Sequence, residues 1–169
     1  MTIIRPYQKT DAQAVGRLIA DTYSEYNLSF LPLEERGPYL GPFQYAGSDD
    51  QARQAEIAHI LEAALILVAE NENGEVVGVL RGRKDRLQSL FVRGDRHRQG
   101  IGRTLVERFE QECIALGGEV IRLASSLYAV PFYQRLGYKK STGVRRGWSF
   151  QGPEFKWQPM KKVLSKPSS

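Results

Sequence analysis

Apolar residues recur along the chain at every second position in some stretches and at every third or fourth in others, and the switches divide it into elements. "TIIRPY" (2–7) reads as a strand. "TDAQ" (10–13) is a capping-box signature, and Val15, Leu18, Ile19 and Tyr23 follow at helical spacing. Over residues 23–45, Pro32, Pro38 and Pro42 with Gly37 and Gly41 break the period, which predicts loop with one short helix. "DDQARQAEIAHILEAA" (49–64) restores it. "LILVAE", the turn "NENG" and "EVVGVLRGR" predict a hairpin, and "LQSLFV" (87–92) adds the next strand.

Leu105, Phe109, Cys113 and Ile114 then mark a helix that Gly117 and Gly118 end. "VIRLASS" (120–126) is a strand. "AVPFYQRLG" (129–137) is a short helix with Pro131 in its first turn and Gly137 as its C-cap. Two closing strands are expected at about 138–144 and 155–161. This order predicts a mixed α/β fold: one central, mostly antiparallel twisted sheet with helices on both faces. "LQSLFV" and "VIRLASS", joined by a helical crossover, should be parallel neighbours. A single domain over 1–165 with a frayed tail at 166–169 fits the length of 169 residues.

Composition adds two points. There is no apolar run long enough to span a membrane and no secretory signal, and the single cysteine, Cys113, cannot form an internal disulfide framework. A soluble protein of the reducing cytoplasm is expected. Charge is split: residues 1–80 carry five Lys or Arg against twelve Asp or Glu, whereas residues 81–169 carry nineteen against seven. Such a split suggests an anion held by the later half and a cation drawn by the earlier.

The positive charge is densest in "VRGDRHRQGIGRTL" (92–105), and eight bases face only Asp85 and Asp95 over residues 81–103. Set between a strand and a helix start, "HRQGIGRT" would aim backbone N–H groups at one point, and the helix dipole would add positive potential there. Gly100 and Gly102 would let the backbone approach a ligand. A phosphate or pyrophosphate suits this environment. A P-loop would need GxxxxGK[ST], which is absent, and a dinucleotide fingerprint would need glycine where Leu105 stands.

With these residues quoted, the chain resembles the GNAT superfamily of acetyl-CoA-dependent N-acetyltransferases, by motif over residues 76–140 and elsewhere by order of elements. That family's signature is a strand followed by Q/R-x-x-G-x-G/A at a helix start; here it reads "LQSLFV-RGDR-HRQGIGRTL". A second signature, A-x-x-F-Y-x-x-x-G-F/Y, stands intact as "AVPFYQRLGY" (129–138). The resemblance implies acetyl-CoA as co-substrate and no metal. It implies that Leu90, Phe91 and Val92 pair their backbone with the pantetheine arm. His97, Arg98, Gln99 and Gly100, continuing through Ile101, Gly102, Arg103 and Thr104, would cradle the pyrophosphate. Ser126 stands where many members have Asn, and His97 where Gln or Arg is usual. Tyr133 stands where the family often has a general acid, and a phenol of ordinary pKa about 10 keeps its proton at pH 7. Its plain alternative is a core tyrosine.

The implied acceptor is a primary amine on a small molecule, peptide or protein. A lysine-like ammonium is neutral in only about one molecule in 2,500 at pH 7, so a proton acceptor would help. Asp21, Glu25, Glu34 and Glu35 are candidates, with a water chain equally open. The aromatic, acidic stretch 23–45 is the expected acceptor wall, opposite a late hairpin around Trp148 and Phe150. His59 reads as surface or packing and Cys113 as core. Two rival functions are a coenzyme A-binding sensor without turnover and a basic nucleic-acid-binding module; the acidic first half argues against the latter. A homodimer is compatible with the sequence.

Overall fold

The computed structural model describes residues 1–149 and 152–165, with only the strand path given for 147–149 and 152–155. The chain runs β1 (Ile3–Pro6), α1 (Ala12–Thr22), a π-helical turn (Tyr23–Asn27) and 3-10 stretches at Leu33–Glu35 and Gly37–Tyr45, then α2 (Gln51–Leu61). Next come β2 (Leu65–Glu70), β3 (Val76–Arg83), β4 (Arg86–Val92), α3 (Ile101–Ala115), β5 (Val120–Ser126) and α4 (Val130–Arg135). β6 (Lys139–Lys140), β7 (Arg145–Ser149) and β8 (Gly152–Val163) close it. The strand order is β1-β2-β3-β4-β5-β8-β6, with β7 also on β8, and every pair is antiparallel except β4 with β5. The expected α/β class and parallel β4–β5 neighbours are both present.

Two local expectations are corrected. The cap of the first helical segment lies at Gln8 rather than Thr10: the Asp11 carboxylate accepts the Gln8 N–H at 2.7 Å and is held from the other side by both terminal nitrogens of Arg5 at 2.9 Å. The two closing strands are three. Lys139–Lys140 pairs briefly with β8, the chain breaks over Ser141–Val144, and the long β8 takes β5, β6 and β7 as partners.

The sheet separates two apolar layers. On one face Val15, Leu18 and Ile19 of α1 pack with Ile57 and Leu61 of α2 against Val68 and Val79. On the other, Leu105, Phe109 and Cys113 of α3 cover Leu80 and Ile121, with Tyr133 and Tyr138 beside them. Burying a side chain of this size is worth about 1.5–3 kcal/mol, so the alternation in β2 (Leu67 and Ala69 to one face, Val68 to the other) sets which face each helix must cover.

Two irregularities shape the middle of the sheet. Gln88 is an extra residue in β4, because Arg81 pairs with Ser89 while Gly82 pairs with Leu87. And β4 meets β5 only at Arg86 and Arg122, next to an Arg122 N–H bond to the Asp85 carbonyl, while β5 pairs with β8 from Val120 to Ser126. The C-terminal halves of β4 and β5 therefore diverge.

Gly82 lets the bulge form. A Cβ there would sit 2.5 Å from the Arg86 carbonyl oxygen and 2.7 Å from the Phe109 ring. Gly82→Ala is expected to destabilise the fold by about 1–3 kcal/mol, which thermal unfolding would register as a fall of several degrees; an unchanged melting temperature would contradict it.

Candidate active site

The divergence of β4 and β5 opens a cavity of about 790 Å³ that reaches from the α3 side of the sheet to the α1–α2 side. Its α3 end is framed by the loop from β4 to α3. Arg98 and Gly100 there have left-handed backbone, φ 64° and 79°. For a non-glycine residue such as Arg98 this costs about 1–2 kcal/mol, strain that a loop shaped for a ligand can hold. The first intrahelical bond of α3 runs from Thr104 N–H to the Gly100 carbonyl at 2.9 Å, so the N–H groups of Ile101, Gly102 and Arg103 are free of helical partners. These donors, the dipole of a 15-residue helix and nearby guanidinium groups fit a pyrophosphate.

The arginines of this loop divide by partner. Arg93 is held by Asp95 at 2.7 Å and Glu75 at 3.7 Å, and Arg103 by Glu107 at 2.7 Å. Arg96 and Arg98 line the cavity, and among the described residues neither has a carboxylate within 4.0 Å. The two glycines serve different ends. Gly100 is demanded by its φ, with open space where a Cβ would stand; at Gly102 a Cβ would press to 3.2 Å on the Phe132 ring. Two expected contacts are not brought to the cavity. Gln99 and Thr104 border a smaller recess with Thr2 and Ile4, and the Thr104 hydroxyl donates to the Gly100 carbonyl at 2.8 Å.

β4 supplies the wall of the opening. Arg93 N–H bonds the Val77 carbonyl, and the register continues as Gly78–Val92, Val79–Phe91 and Leu80–Leu90. Antiparallel ladders bond alternate residues, so the Phe91 main chain turns into β3 whereas Leu90 and Val92 turn theirs toward β5. This corrects the expectation for Phe91, whose ring instead packs on the α1–α2 layer, edge-on to Tyr23 at 6.3 Å. His97 Nε2 donates to the Val92 carbonyl at 2.7 Å and its ring lies 4.7 Å from that of Tyr26, tying the loop to the end of β4. Among the described residues the Leu90 N–H and carbonyl and the Val92 N–H are left without partners, a short ladder edge matched to an amide-bearing chain.

A model of the acetyltransferase (GNAT) domain matches residues 34–164. The chain belongs to the GNAT acetyltransferase family. Its fold is also that of a GCN5-related N-acetyltransferase from Rhodopseudomonas palustris, at 21% identity and TM-score 0.78 over 97% of this chain and 96% of that one. A PaiA N-acetyltransferase from Thermoplasma acidophilum, solved with coenzyme A, matches at 17% identity and TM-score 0.68 over 96% and 99%. The ribosomal-protein-S18-alanine N-acetyltransferase of Escherichia coli matches at 18% and 0.65 over 99% and 97%.

In this GNAT domain Tyr133, on α4, lines the cavity together with β4. Only 7% of it is exposed, and its hydroxyl has no hydrogen-bond partner among the described residues. Burial pushes its pKa up, with Tyr128 adding to the shift, so the phenol is protonated across the physiological range. Ser126, at the end of β5, lines the same space.

The α1–α2 end differs from expectation. Tyr23, Leu40 and Phe43 of the 23–45 stretch do line it, but Asp21, Glu25, Glu34 and Glu35 are exposed and outside it. Among the described residues no carboxylate lines the cavity at all. Phe150 and the side chain of Trp148 lie outside the described residues. Among the lining residues not singled out in the sequence is Arg81; its readable signal is a charged residue inside the apolar run "VVGVLRG". His59 is exposed beside Glu62 at 3.6 Å. Cys113 is buried with its Sγ 3.7 Å from the Arg83 carbonyl oxygen, and burial pushes the thiol up to about 12, so it stays an inert core residue.

Arg96 and Arg98, lining the cavity without a carboxylate partner among the described residues, are the side chains free to pair with a phosphate. Replacing both with Ala is expected to weaken coenzyme A binding by tenfold or more, since a charge-assisted bond is worth about 1.5–3 kcal/mol. Binding of acetyl-pantetheine, which has no phosphate, should stay within about twofold. Calorimetry with both ligands checks this, and an equal loss for the two would contradict it.

Proposed function

We propose that the protein, acting as one domain over residues 1–165, transfers the acetyl group of acetyl-CoA directly to a primary amine. One observation carries the reading: a single cavity is lined by the anion-binding loop, the open edge of β4 and Tyr133, the features that the pyrophosphate, pantetheine and thioester of acetyl-CoA would need. Gly100, Ile101, Gly102 and Arg103 present their amides to the pyrophosphate, with Arg96 and Arg98 adding charge. His97 holds the loop on Val92, and Leu90 and Val92 hold the arm. Ser126 borders the arm from β5.

The amine, arriving from the α1–α2 end, forms its N–C bond at the thioester carbonyl carbon. The Val92 N–H region stabilises the developing oxyanion. As the C–S bond breaks, the electron pair goes to sulfur and Tyr133 donates its proton there; the proton lost by the amine leaves through solvent. The products are an amide and the free thiol. Among the described residues no carboxylate lines the cavity, which favours water over a side-chain base as the proton acceptor. The buried, unpaired Cys113 suits a reducing compartment such as the cytoplasm.

Tyr133→Phe is expected to lower kcat by about 10²-fold or more with coenzyme A affinity nearly unchanged, and equal turnover would remove Tyr133 from the mechanism. The sign of the pH dependence follows from the raised Tyr133 pKa. The required phenol form persists to high pH, so kcat/KM should climb as the acceptor ammonium loses its proton and should not fall below about pH 10; a decline between pH 7 and 9 would contradict the assignment. Calorimetry with acetyl-CoA, followed by thiol release over an amine panel, tests the whole reading. Tight binding without release from any amine would favour a coenzyme A sensor, and no binding would sink the reading and turn attention to nucleic acid.

A further inference from the structure

Every charged side chain lining the cavity among the described residues is basic, and one of them, Arg81, stands at the acceptor end. Arg81 projects from β3 on the α1–α2 face. Its Nε donates to the Leu61 carbonyl at 2.9 Å, and its Nη2 to those of Ile60 at 2.7 Å and Glu62 at 3.4 Å, the last carbonyls of α2. Nη1 has a single long contact, 3.4 Å to Ser89 Oγ. A guanidinium has five N–H donors, so one on Nη1 is unassigned. The C-terminal end of the helix dipole offsets part of the charge, yet among the described residues no carboxylate lies within 4.0 Å.

Buried charge without a counter-ion is costly, and burial is the main influence on Arg81, working against its charged form. The neighbouring walls are apolar: Ile19, Leu40, Phe43 and Ile60. Tyr23 also borders the cavity, with its hydroxyl buried away from it and without a partner among the described residues. A guanidinium with one N–H left over and, among the described residues, no carboxylate beside it, set next to hydrocarbon, describes a site for an anion attached to an apolar group. A simple alkyl ammonium would instead meet repulsion with nothing to pair it.

We propose that the acceptor is an amine bearing a carboxylate and an apolar side chain, an amino-acid-like compound, whose carboxylate pairs with Arg81 Nη1. This rests on the acetyl-transfer reading and names its substrate class. It also supplies what the missing base leaves undone. A fixed cation next to the carboxylate stabilises the neutral amine over the ammonium, so the free amine forms more readily in the site. Arg81 is a specificity-determining residue in this account and takes no part in bond making.

The test uses product-like probes, so that it does not depend on finding the natural acceptor or on turnover. The protein is saturated with coenzyme A, and N-acetylphenylalanine and N-acetylleucine are titrated calorimetrically against their carboxamides. At least one acid should bind tenfold or more tightly than its amide. Arg81→Gln should bring that ratio close to one, and Arg81→Lys, which keeps the charge, should retain most of it; the acid-to-amide ratio in the native protein stands as evidence even if Arg81→Gln fails to fold. Amides binding as well as acids, neither acid binding, or a preference that survives Arg81→Gln would each overturn the proposal. Loss of coenzyme A binding by the native protein is a separate result, and it would sink the acetyl-transfer reading instead.

Discussion

The site depends on a pair of parallel strands that stay together for one residue pair. Arg86 and Arg122 are in register, and beyond them β4 and β5 part. A parallel sheet normally satisfies its inner main-chain groups on both sides; here Leu90 and Val92 are satisfied on neither ladder, and the opening beside them becomes a slot. The bulge at Gln88 lies just before this stretch, and bulges bend and twist the strand that carries them. Around that slot the rest is arranged: β8 keeps β5 in place along its length, α3 begins at one mouth, and α1 with α2 closes the other.

Charge is sorted along the same slot. The two halves of the chain differ in sign, but acids of the first half are turned outward or spent on pairs such as Arg5 with Asp11 and Glu70. Among the described residues, the charged side chains that face the cavity are cationic at both ends. At the α3 mouth this matches a pyrophosphate; at the opposite mouth it constrains the acceptor, because a lone ammonium is the wrong partner for a lone guanidinium.

Much of the architecture was legible because alternation and helical period are physical statements about faces. β2, β3, β4, α3 and β5 stand where their patterns put them, since each has a two-faced burial to satisfy. The C-terminal strands were less legible: Ser141 and Gly143 interrupt the pattern, and a single β8 serves three neighbours. At the site, Gly100 and the helix start were readable from spacing. The roles of the arginines were not. Arg103 is neutralised by Glu107 one helical turn on, a pair the spacing does show, but the isolation of Arg96 and Arg98 depends on where the loop folds. Phe91 was misassigned because a contiguous triplet cannot all face one edge of a strand. Arg81 needed the cavity itself, as only the tertiary fold sets this β3 residue in the same wall as the loop arginines.

The central claim is that the open edge of β4 is the seat of the acetyl-CoA arm, and amide hydrogen exchange with and without acetyl-CoA tests it most directly. In the free protein the Phe91 amide should be protected by its β3 partner while those of Leu90, Val92, Gly102 and Arg103 exchange readily. Adding acetyl-CoA should protect these four and leave Phe91 unchanged. If acetyl-CoA binds and the Leu90 and Val92 amides exchange as before, the slot between β4 and β5 is not where the arm lies, and the account built on it fails.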